Sequence, residues 1–436
     1  MVRREHAGYI AQMTSVPGVA QRTGATNYYV ELFPKTGAKS NTRAPVLGLT
    51  PVAGDVDIVI ASELMEAGRA VQRGLVTPDK TTFIVSTNRV YSMTERIALA
   101  DGRVDPTPLL SDANPRSLQR TLDALASAVA VGRADLVIAN TLSTYWGVHL
   151  ARRAGVPVIF YIHESTPPRS FFRGFVPPTA LSLAEEAIGL ADRVSFLTAT
   201  SQRYFDGLAN PDNFVRLPGW INLSAVDRYC STHTHEAEKA RLGIAAERKL
   251  VINVGTVCDR KGQHLFARAV DLLWQLSPTL AANTEFLMVG GGDTAYDREL
   301  ADFLVELNRP NLRVVPGTRE VYPYYRAADL FVCSSYEESF PRVILEAMAM
   351  NVPILSTNVH GIPEIVRPEK EALLVAPGDS SALTLGLQRL LGEPRLGRHY
   401  ATQARLRLEE NFDAAILLPR HLAFLRAVHL ARATGK

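Results

Sequence analysis

A regular alternation of short β-rich runs with helical patterns, from about residue 113 onward, constrains this chain most. Alternation of this kind produces parallel sheets with helices on both faces. It breaks once, near residues 227–247, which predicts two Rossmann-like domains with a ligand crevice between them. The predicted strands are Asp135–Asn140, Val156–Tyr161, Arg193–Leu197 and Asn213–Leu217 in the first domain, and Lys249–Val254, Glu285–Val289, Leu312–Val315, Leu330–Cys333 and Pro353–Ser356 in the second.

Length and composition fit such a fold and exclude several others. A chain of 436 residues suits two or three domains, and 47% apolar with 21% charged residues is ordinary for a globular protein. A net charge of +3 is far below that of a nucleic-acid binder, so no nucleic-acid partner is expected. Three separated cysteines, Cys230, Cys258 and Cys333, exclude a disulfide framework and predict a reducing, cytoplasmic compartment.

Contact with a membrane, if the chain makes any, is expected to be peripheral. No apolar stretch follows Arg3 and Arg4, and no run of about 18 residues is uninterruptedly apolar, so we expect neither a signal peptide nor a transmembrane span. Positive charge gathers in residues 417–436, which contain no acidic residue. A solvated helix face is the simplest interpretation, and attraction to the inner membrane surface is the alternative.

Two carboxylates with seven residues between them, Glu338 and Glu346, surround a predicted helix start. Pro341 fits the first helical turn, and the helix is expected to run through Met350 until Asn351 ends it. Free N–H groups at such a start suit a phosphate, and the helix dipole favours its negative charge. The spacing alone fits an unrelated surface pair better than a ligand site, so the flanking sequence decides.

Two glycine-rich turns follow predicted strands. The first, Gly255–Gly262, opens a helix; its glycines permit close approach to an anion, and Lys261 can neutralise a diphosphate. A surface loop with a solvated lysine is the alternative. The second, Gly290–Asp293, is weaker, because an isolated glycine cluster is more often a tight turn.

The run Ala327–Pro341, continued by Glu346–Ala349 and Pro353–Thr357, resembles the segment of family-four retaining glycosyltransferases that binds the sugar donor. So does Gly361–Glu364, and the resemblance covers about residues 117–425. It implies the α/β fold called GT-B, in which two doubly wound parallel-sheet domains face each other across a cleft. It also implies metal-independent, retaining transfer of a sugar from a UDP- or GDP-linked donor to a glycan, lipid or other hydroxyl acceptor, as in polysaccharide or glycolipid biosynthesis, without a cofactor.

The resemblance assigns three catalytic residues. Lys261 stabilises the leaving diphosphate, Glu338 contacts the sugar hydroxyls, and His163 faces the sugar across the cleft, although a lone histidine is more often structural. Further residues implied to bind the sugar donor are Gly255, Thr256, Arg260, Gly290, Gly291, Thr318, Arg319, Ser339, Phe340, Pro341, Arg342 and Glu346, the last through the ribose.

One position departs from the family. Thr256 stands where the family often has arginine, so stabilisation of the leaving group falls to Lys261 with help from Arg260. No metal ligand is assigned, and the Asp-x-Asp sequence Asp55–Asp57 precedes a strand rather than ending one, which agrees with a metal-free scheme.

The first 110 residues do not fit this pattern. Strands are predicted at Asp57–Ile60 and Thr82–Val85 with a helix at Ser62–Arg73 between them, but no glycine-rich opening unit is recognisable. Instead, Gln12–Ala25 and Glu63–Arg73 resemble the beta subunit of indolepyruvate:ferredoxin oxidoreductase, over about residues 5–110. No redox chemistry is inferred, and the first GT-B domain is expected to be atypical at its N-terminus.

Four segments follow from these patterns: the oxidoreductase-like segment 1–112, the incomplete acceptor-side domain 113–227, the domain 228–415 that binds the nucleotide sugar, and a basic helix 416–436 that crosses back to the first domain. The first segment is either a functional fusion or a chimeric replacement that impairs acceptor binding. Two other functions remain open: a subunit or assembly module of a 2-oxoacid oxidoreductase complex, and a nucleotide-sugar epimerase of the same fold.

Overall fold

A computed structural model describes residues 134–173 and 178–433, together with residues 2–6, 9–17, 26–34, 57–61, 76, 77, 80 and 82–85. The chain divides into two compact units, Met1–Ile97 and Ala98–Lys436. The predicted boundary between residues 112 and 113 and the predicted helix Ser62–Arg73 lie outside the described residues, as do most of the Gln12–Ala25 and Glu63–Arg73 motifs.

The first unit contains two small sheets. One is an antiparallel meander of three strands, which an alternation of strands and helices does not predict. Its first strand, β1, is mostly charged and carries no apolar period. The other is a parallel pair, and it confirms the two strands that were predicted there. The strands are β1 (Val2–His6), β2 (Tyr9–Pro17), β3 (Thr26–Pro34), β4 (Ile58–Ala61) and β5 (Thr82–Val85).

The second unit begins with a four-stranded parallel sheet in the order β6-β7-β8-β9. Alternate residues of the buried strand β7 point to opposite faces, so Phe160 packs under the helices and Ile159 packs under the C-terminal helix. This four-stranded domain consists of β6 (Val137–Asn140), β7 (Val158–Ile162), β8 (Arg193–Phe196), β9 (Phe214–Arg216), a 3₁₀ turn (Leu142–Thr144), α1 (Tyr145–Ala154), α2 (Pro168–Phe171), α3 (Pro178–Leu190), α4 (Ala199–Arg203) and a second 3₁₀ turn (Pro211–Asn213).

A six-stranded domain follows, and its sheet is parallel throughout, in the order β12-β11-β10-β13-β14-β15. Its strands are β10 (Lys249–Val254), β11 (Thr284–Gly291), β12 (Leu312–Pro316), β13 (Leu330–Cys333), β14 (Ile354–Thr357) and β15 (Leu373–Val375). Its helices are α5 (Leu223–Thr232), α6 (His235–Arg241), α7 (Gln263–Leu276), α8 (Pro278–Ala282), α9 (Ala295–Leu307), α10 (Tyr322–Ala327), α11 (Arg342–Ala349), α12 (Ile362–Ile365), α13 (Ser380–Gly392) and α14 (Pro394–Asn411).

This strand order places a topological switch point between β10 and β13. The chain moves outward from β10 through β11 to β12, then returns to the other side of β10 and continues outward through β15. Both faces are covered, since Val251 belongs to one apolar cluster and its neighbours Leu250 and Ile252 belong to the other. Ligands of doubly wound sheets bind outside the carboxyl ends of the strands at such a point.

The nine strands predicted for these two sheets are confirmed, each within two residues at either end. The short strand β15 was not predicted. The alternation breaks where expected, because α5 and α6 follow each other without a strand between them. Side chains start both helices, since Asn222 accepts from the Ala225 N–H and Thr234 accepts from the Ala237 N–H.

A last helix, α15 (Ala414–Ala433), returns to the four-stranded domain. Val428 packs with Ile159 and Tyr161 of β7, and the His429 ring lies 3.2 Å from the Asp135 carbonyl oxygen. The His421 ring stacks on Tyr161 with ring centroids 5.8 Å apart. The predicted helix 416–436 is therefore part of α15 as far as residue 433, and residues 434–436 lie outside the described part of the chain.

Candidate functional site

The candidate site begins with two loops that leave the six-stranded sheet at its switch point. In the loop after β10, Asp259–Lys261 forms a single 3₁₀ turn that Gly262 joins to α7. Gly262 has a φ of +65°, and a Cβ atom there would lie 2.1 Å from the Ser334 carbonyl oxygen in the loop after β13. Only glycine fits this turn, so the two loops are held in direct contact.

Hydrogen bonds fix the register between these loops. The Ser334 hydroxyl donates to the Lys261 carbonyl at 3.0 Å, and the Tyr336 N–H donates to the Arg260 carbonyl at 2.8 Å. Residues more than 70 positions apart in sequence are thereby placed side by side. The side chains of Lys261 and Arg260 from the loop after β10 reach the carboxylate of Glu338 in the loop after β13.

Glu338 is a buried carboxylate with three partners, and only 6% of its surface is exposed. Lys261 Nζ donates to its Oε1 atom, the Ser335 hydroxyl donates to the same atom at 2.8 Å, and Arg260 Nη1 lies 3.8 Å from Oε2. Burying a charge is costly unless opposite charges and hydrogen bonds compensate it. Two cations and a hydroxyl provide that compensation here.

The second carboxylate, Glu346, lies on α11 where the chain leaves the Glu338 loop. Arg342 Nε donates to Glu346 Oε1 at 3.2 Å. Burial raises the pKa of the Glu346 carboxyl above its ordinary value, and Arg342 partly opposes this. The predicted helix bounds were wrong by one residue at each end: Pro341 precedes the helix rather than lying in its first turn, and the helix ends at Ala349 because Asn351 has a φ of +56°.

The other residues assigned to the sugar donor lie on neighbouring loops at the same edge. Thr256 accepts from Gln263 Nε2 through its carbonyl at 3.1 Å. The loops after β11 and β12 are joined by the Gly317 N–H, which donates to the Gly291 carbonyl at 2.7 Å. The Thr318 hydroxyl accepts from the Glu320 N–H at 3.0 Å, within its own loop. Gly255 follows β10, and Gly290 and Gly291 end β11. Arg319 follows β12, three positions along the sheet from β13.

His163 lies at the carboxyl end of β7 in the four-stranded domain. Its ring Nε2 atom is 2.7 Å from Asn140 Oδ1 at the end of the neighbouring strand, and its backbone N–H donates to Glu164 Oε2 at 3.0 Å. Its ring stacks on Tyr161 with centroids 6.3 Å apart. Burial lowers the pKa of His163, so the ring is neutral at pH 7 and can serve as a hydrogen-bonding group rather than a fixed charge.

The two domains meet beside these groups. Among the described residues no hydrogen bond joins His163 to Lys261 or Glu338, but the adjoining residues are linked. The Ser165 hydroxyl donates to Glu337 Oε1 at 2.8 Å, and the Ser201 and Ser339 hydroxyls lie 3.0 Å apart. The loop that carries Glu338 is therefore in contact with the domain that carries His163.

Three residues at this site were not singled out for a role by sequence: Ser335, Asn140 and Glu364. Ser335 was hidden inside the recognised run, and only the fold shows that it bonds to Glu338. Asn140 ends a predicted strand. Site residues of parallel sheets lie at the carboxyl ends of strands, so this position was a signal for Asn140 in the sequence. Glu364 belongs to the Gly361–Glu364 motif, which resembles part of the donor-binding segment, but no role was assigned to Glu364 itself.

Comparisons with known proteins agree with this architecture. The family model described as glycosyl transferases group 1 matches residues 248–393, and the glycosyl transferase 4-like domain matches residues 43–220. The D-inositol 3-phosphate glycosyltransferase of Thermobifida fusca is 30% identical over 327 residues, covering 70% of this chain and 72% of that protein. The structure has a GT-B fold with a cluster of charged residues at the switch point of its six-stranded sheet. The chain belongs to the glycosyltransferases of the group 1, family-four type.

Further relatives and a solved structure extend the comparison. The D-inositol 3-phosphate glycosyltransferase of Thermobispora bispora is 28% identical over 276 residues, 60% of this chain and 64% of that protein. The chain spans 60–64% of the length of three such relatives. The Anabaena HepE structure, in complex with UDP and glucose, has a TM-score of 0.62 at 18% identity over 83% of this chain and 88% of that one, which shows a shared fold.

The resemblance of residues 5–110 to an oxidoreductase subunit stays a prediction. The glycosyl transferase 4-like match begins at residue 43 and so overlaps the larger part of that segment.

Proposed function

We propose that this chain is a retaining glycosyltransferase that moves a sugar from a nucleotide diphosphate sugar to a hydroxyl of a glycan, lipid or other acceptor. The observation that carries the proposal is the buried Glu338 carboxylate, which Lys261 and Arg260 compensate beside the start of α11. Buried ion pairs contribute little net stability. Their position at a switch point, next to a helix start, fits binding of an anion and a polyhydroxylated group instead.

In the proposed reaction the bond between the anomeric carbon and the phosphate oxygen breaks. A bond from that carbon to the acceptor oxygen forms on the same face of the sugar, which retains the anomeric configuration. The acceptor proton passes to the departing phosphate oxygen, so the scheme uses no separate base, metal or cofactor.

Groups of the six-stranded domain supply the charge stabilisation. In this scheme Lys261 and the N–H groups of Phe340 and Arg342 bind the diphosphate, whereas Pro341 has no N–H to offer. The incoming diphosphate draws Lys261 away from Glu338, and the released carboxylate then accepts hydrogen bonds from the sugar hydroxyls. Glu346 accepts from the ribose in the same way, and the loops after β11 and β12 border the base.

The choice of nucleotide is also a proposal. HepE, which has the same fold, holds UDP in its solved structure, so UDP is the first nucleotide to test and GDP the second. His163 approaches the sugar from the four-stranded domain, as a neutral ring.

The test is sugar transfer by the Lys261→Ala and Glu338→Ala variants. Removing a preorganised group that stabilises developing charge lowers turnover by roughly 10²–10³-fold. We expect such a loss in both variants, with unchanged circular dichroism, and full activity in the control Lys370→Ala, whose lysine is exposed. Unchanged transfer by the first two variants would disprove the assignment.

The same assays separate the two other functions. A nucleotide-sugar epimerase would release free or epimerised sugar without any acceptor. An oxidoreductase subunit would co-purify with a large partner that carries thiamine and iron–sulfur clusters and would ignore nucleotide sugars.

We also propose that the chain acts in the cytoplasm, at the inner surface of a membrane. Over Ala414–Ala431 the helix α15 is long and apolar enough to cross a membrane, with a mean hydropathy of 1.2, but one of its faces packs on β7 through Val428. Its outer face exposes Leu418, Leu422 and Leu430 with two arginines and no acid. An apolar stripe with cations suits an anionic lipid surface better than water or a span.

A further inference from the structure

The Gly361–Glu364 segment connects the two domains. Glu364 lies on the short helix α12 after β14, and its carboxylate reaches the start of α4 in the four-stranded domain. Its Oε2 atom accepts the Ala199 N–H at 2.8 Å, and its Oε1 atom accepts the Thr200 N–H at 2.8 Å. Both carboxylate oxygens are thus used on residues about 165 positions away in sequence.

These bonds complete the start of α4. The first N–H groups of a helix have no partner inside the helix, so another group must satisfy them. Here the Thr198 hydroxyl accepts from the Ser201 N–H at 3.1 Å, and the two N–H groups before it bond to Glu364. Hydrogen bonds to an ionised carboxylate are about twice as strong as neutral ones. Separation of the domains would leave both N–H groups to water.

The other end of the segment touches the Glu338 loop. The Gly361 N–H donates to the Glu338 carbonyl at 3.2 Å. A Cβ atom on Gly361 would lie 1.9 Å from the Ser339 carbonyl oxygen and 2.7 Å from Thr198 Cγ2, so only glycine fits between the loop and the facing domain. The backbone that bonds to Glu338 is therefore the same backbone that delivers Glu364 to α4.

An arginine fixes this connector to the six-stranded domain. Arg407 on α14 donates to the Ile365 carbonyl through Nε at 2.7 Å and to the Glu364 carbonyl through Nη2 at 2.9 Å. His360, the residue before Gly361, also meets the four-stranded domain, since its Nδ1 atom lies 3.2 Å from Tyr204 Oη. A connector held on one side and bonded on the other transmits the position of one domain to the other.

We infer that Glu364 is a positioning residue for sugar transfer: it docks the four-stranded domain, with His163, against the loop that carries Glu338. The inference rests on the proposed function, because it concerns the same site. In the described part of the chain, the Glu364 carboxylate bonds to Ala199 and Thr200, whereas Lys261 and Arg260 pair with Glu338. Loss of Glu364 should therefore weaken the contact between the two domains and leave nucleotide binding by the six-stranded domain intact.

The test compares Glu364→Ala and Glu364→Gln with the control Glu306→Ala, whose carboxylate is exposed on α9. We expect Glu364→Ala to lower kcat by roughly 10-fold or more, the effect of losing charge-assisted hydrogen bonds. Small-angle scattering should show an increased radius of gyration, and calorimetry should give a Kd for UDP within about twofold of the parent, as expected of a group that acts on docking only. Glu364→Gln should fall between them, because its amide oxygen still accepts one N–H.

A second variant tests the same contact from the other side. Ala199→Pro removes the N–H that bonds to Glu364 Oε2, and proline is tolerated at the first position of a helix. Thr198, with φ −140° and ψ 158°, already has the extended conformation that a following proline requires. We expect the same result as for Glu364→Ala, a lower kcat with an unchanged Kd. Combining the two substitutions should lower kcat no further than Glu364→Ala does alone, because Glu364→Ala already removes the bonds to both Ala199 and Thr200.

The outcomes separate the two proposals. Unchanged kcat and unchanged scattering in Glu364→Ala would overturn the docking role, as would a loss of UDP affinity equal to the loss of kcat, which would indicate local damage to the Glu338 loop. If the parent chain bound no nucleotide, the proposed function would fail, while the scattering comparison would still decide whether Glu364 holds the domains together.

Discussion

At the scale of single residues, the site stores opposite charges close together before any ligand arrives. Lys261 and Arg260 surround the carboxylate of Glu338, and Ser335 adds a hydroxyl hydrogen bond. The sequence predicted Lys261 and Glu338 as members of one site through the resemblance to family-four glycosyltransferases. It could not predict that they bond to each other, since that depends on the contact between Gly262 and the loop after β13.

The pair formed by His163 and Asn140 gives a prediction about pH. Asn140 Oδ1 can only accept, so the His163 Nε2 atom carries the proton, and burial lowers the pKa of the ring. In Asn140→Asp a carboxylate replaces the amide oxygen, stabilises the imidazolium and raises the pKa of His163. The neutral ring then forms only at higher pH, so the acidic limb of the profile of kcat/KM against pH should move upward.

This effect has a charge-free control. Asn140→Leu removes the same hydrogen bond without adding a charge, so its activity should fall while the position of the acidic limb stays near that of the parent. Equal displacement of the limb in both variants, or in neither, would contradict the role given to the neutral His163 ring.

At the scale of elements, apolar periodicity was enough to locate nine of the ten strands in the four-stranded and six-stranded sheets. It missed β15, a strand of three residues, because so short a run carries no period. It also gave no sign of the antiparallel strands β1 to β3. The ends of α11 were off by one residue each, because Pro341 fits either side of a helix start and the φ of +56° at Asn351 belongs to the turn into β14.

The helix α15 gives the element-scale prediction. We expect the chain to bind phosphatidylcholine vesicles that contain about 30% phosphatidylglycerol, to ignore vesicles of phosphatidylcholine alone, and to dissociate as salt is raised. Leu418→Ser combined with Leu422→Ser should abolish binding, because the apolar stripe supplies the burial. Co-sedimentation with the vesicles measures this.

The matched control changes two leucines elsewhere. Leu385 and Leu406 are 58% and 47% exposed, against 44% and 46% for Leu418 and Leu422. Their double serine variant should bind like the parent. Equal binding by both double variants, or a chain that instead pairs with a second copy through α15 in sedimentation velocity, would rule out the lipid surface.

At the scale of the whole molecule, the sequence predicted two parallel-sheet domains and the structure has them, but it could not predict how they meet. Contacts such as that of Glu364 with Ala199 join segments about 165 residues apart, and no local pattern records them. The sequence also left the first 110 residues open between a functional fusion and a chimeric replacement, because they contain no recognisable glycine-rich opening unit.

Nucleotide binding should stabilise the chain as a whole. A ligand at 100 times its Kd adds about 2.7 kcal/mol to the free energy of unfolding, which raises the melting temperature by several degrees. We expect UDP to give the largest shift among the nucleoside diphosphates in a thermal scan, and Lys261→Ala to give almost none. A flat response to UDP, GDP and ADP alike would contradict the proposed site.

Apart from His163, every group proposed to hold the sugar donor lies in the six-stranded domain, so these groups are encoded on a stretch of chain separate from the four-stranded domain. A genetic crossover in residues 217–222 would join them to a new companion domain. The newcomer would need two backbone N–H groups where Ala199 and Thr200 now meet Glu364, besides surfaces that fit the Glu338 loop and α15. The Glu364 carboxylate would thereby restrict which first domains this donor-binding domain can dock against.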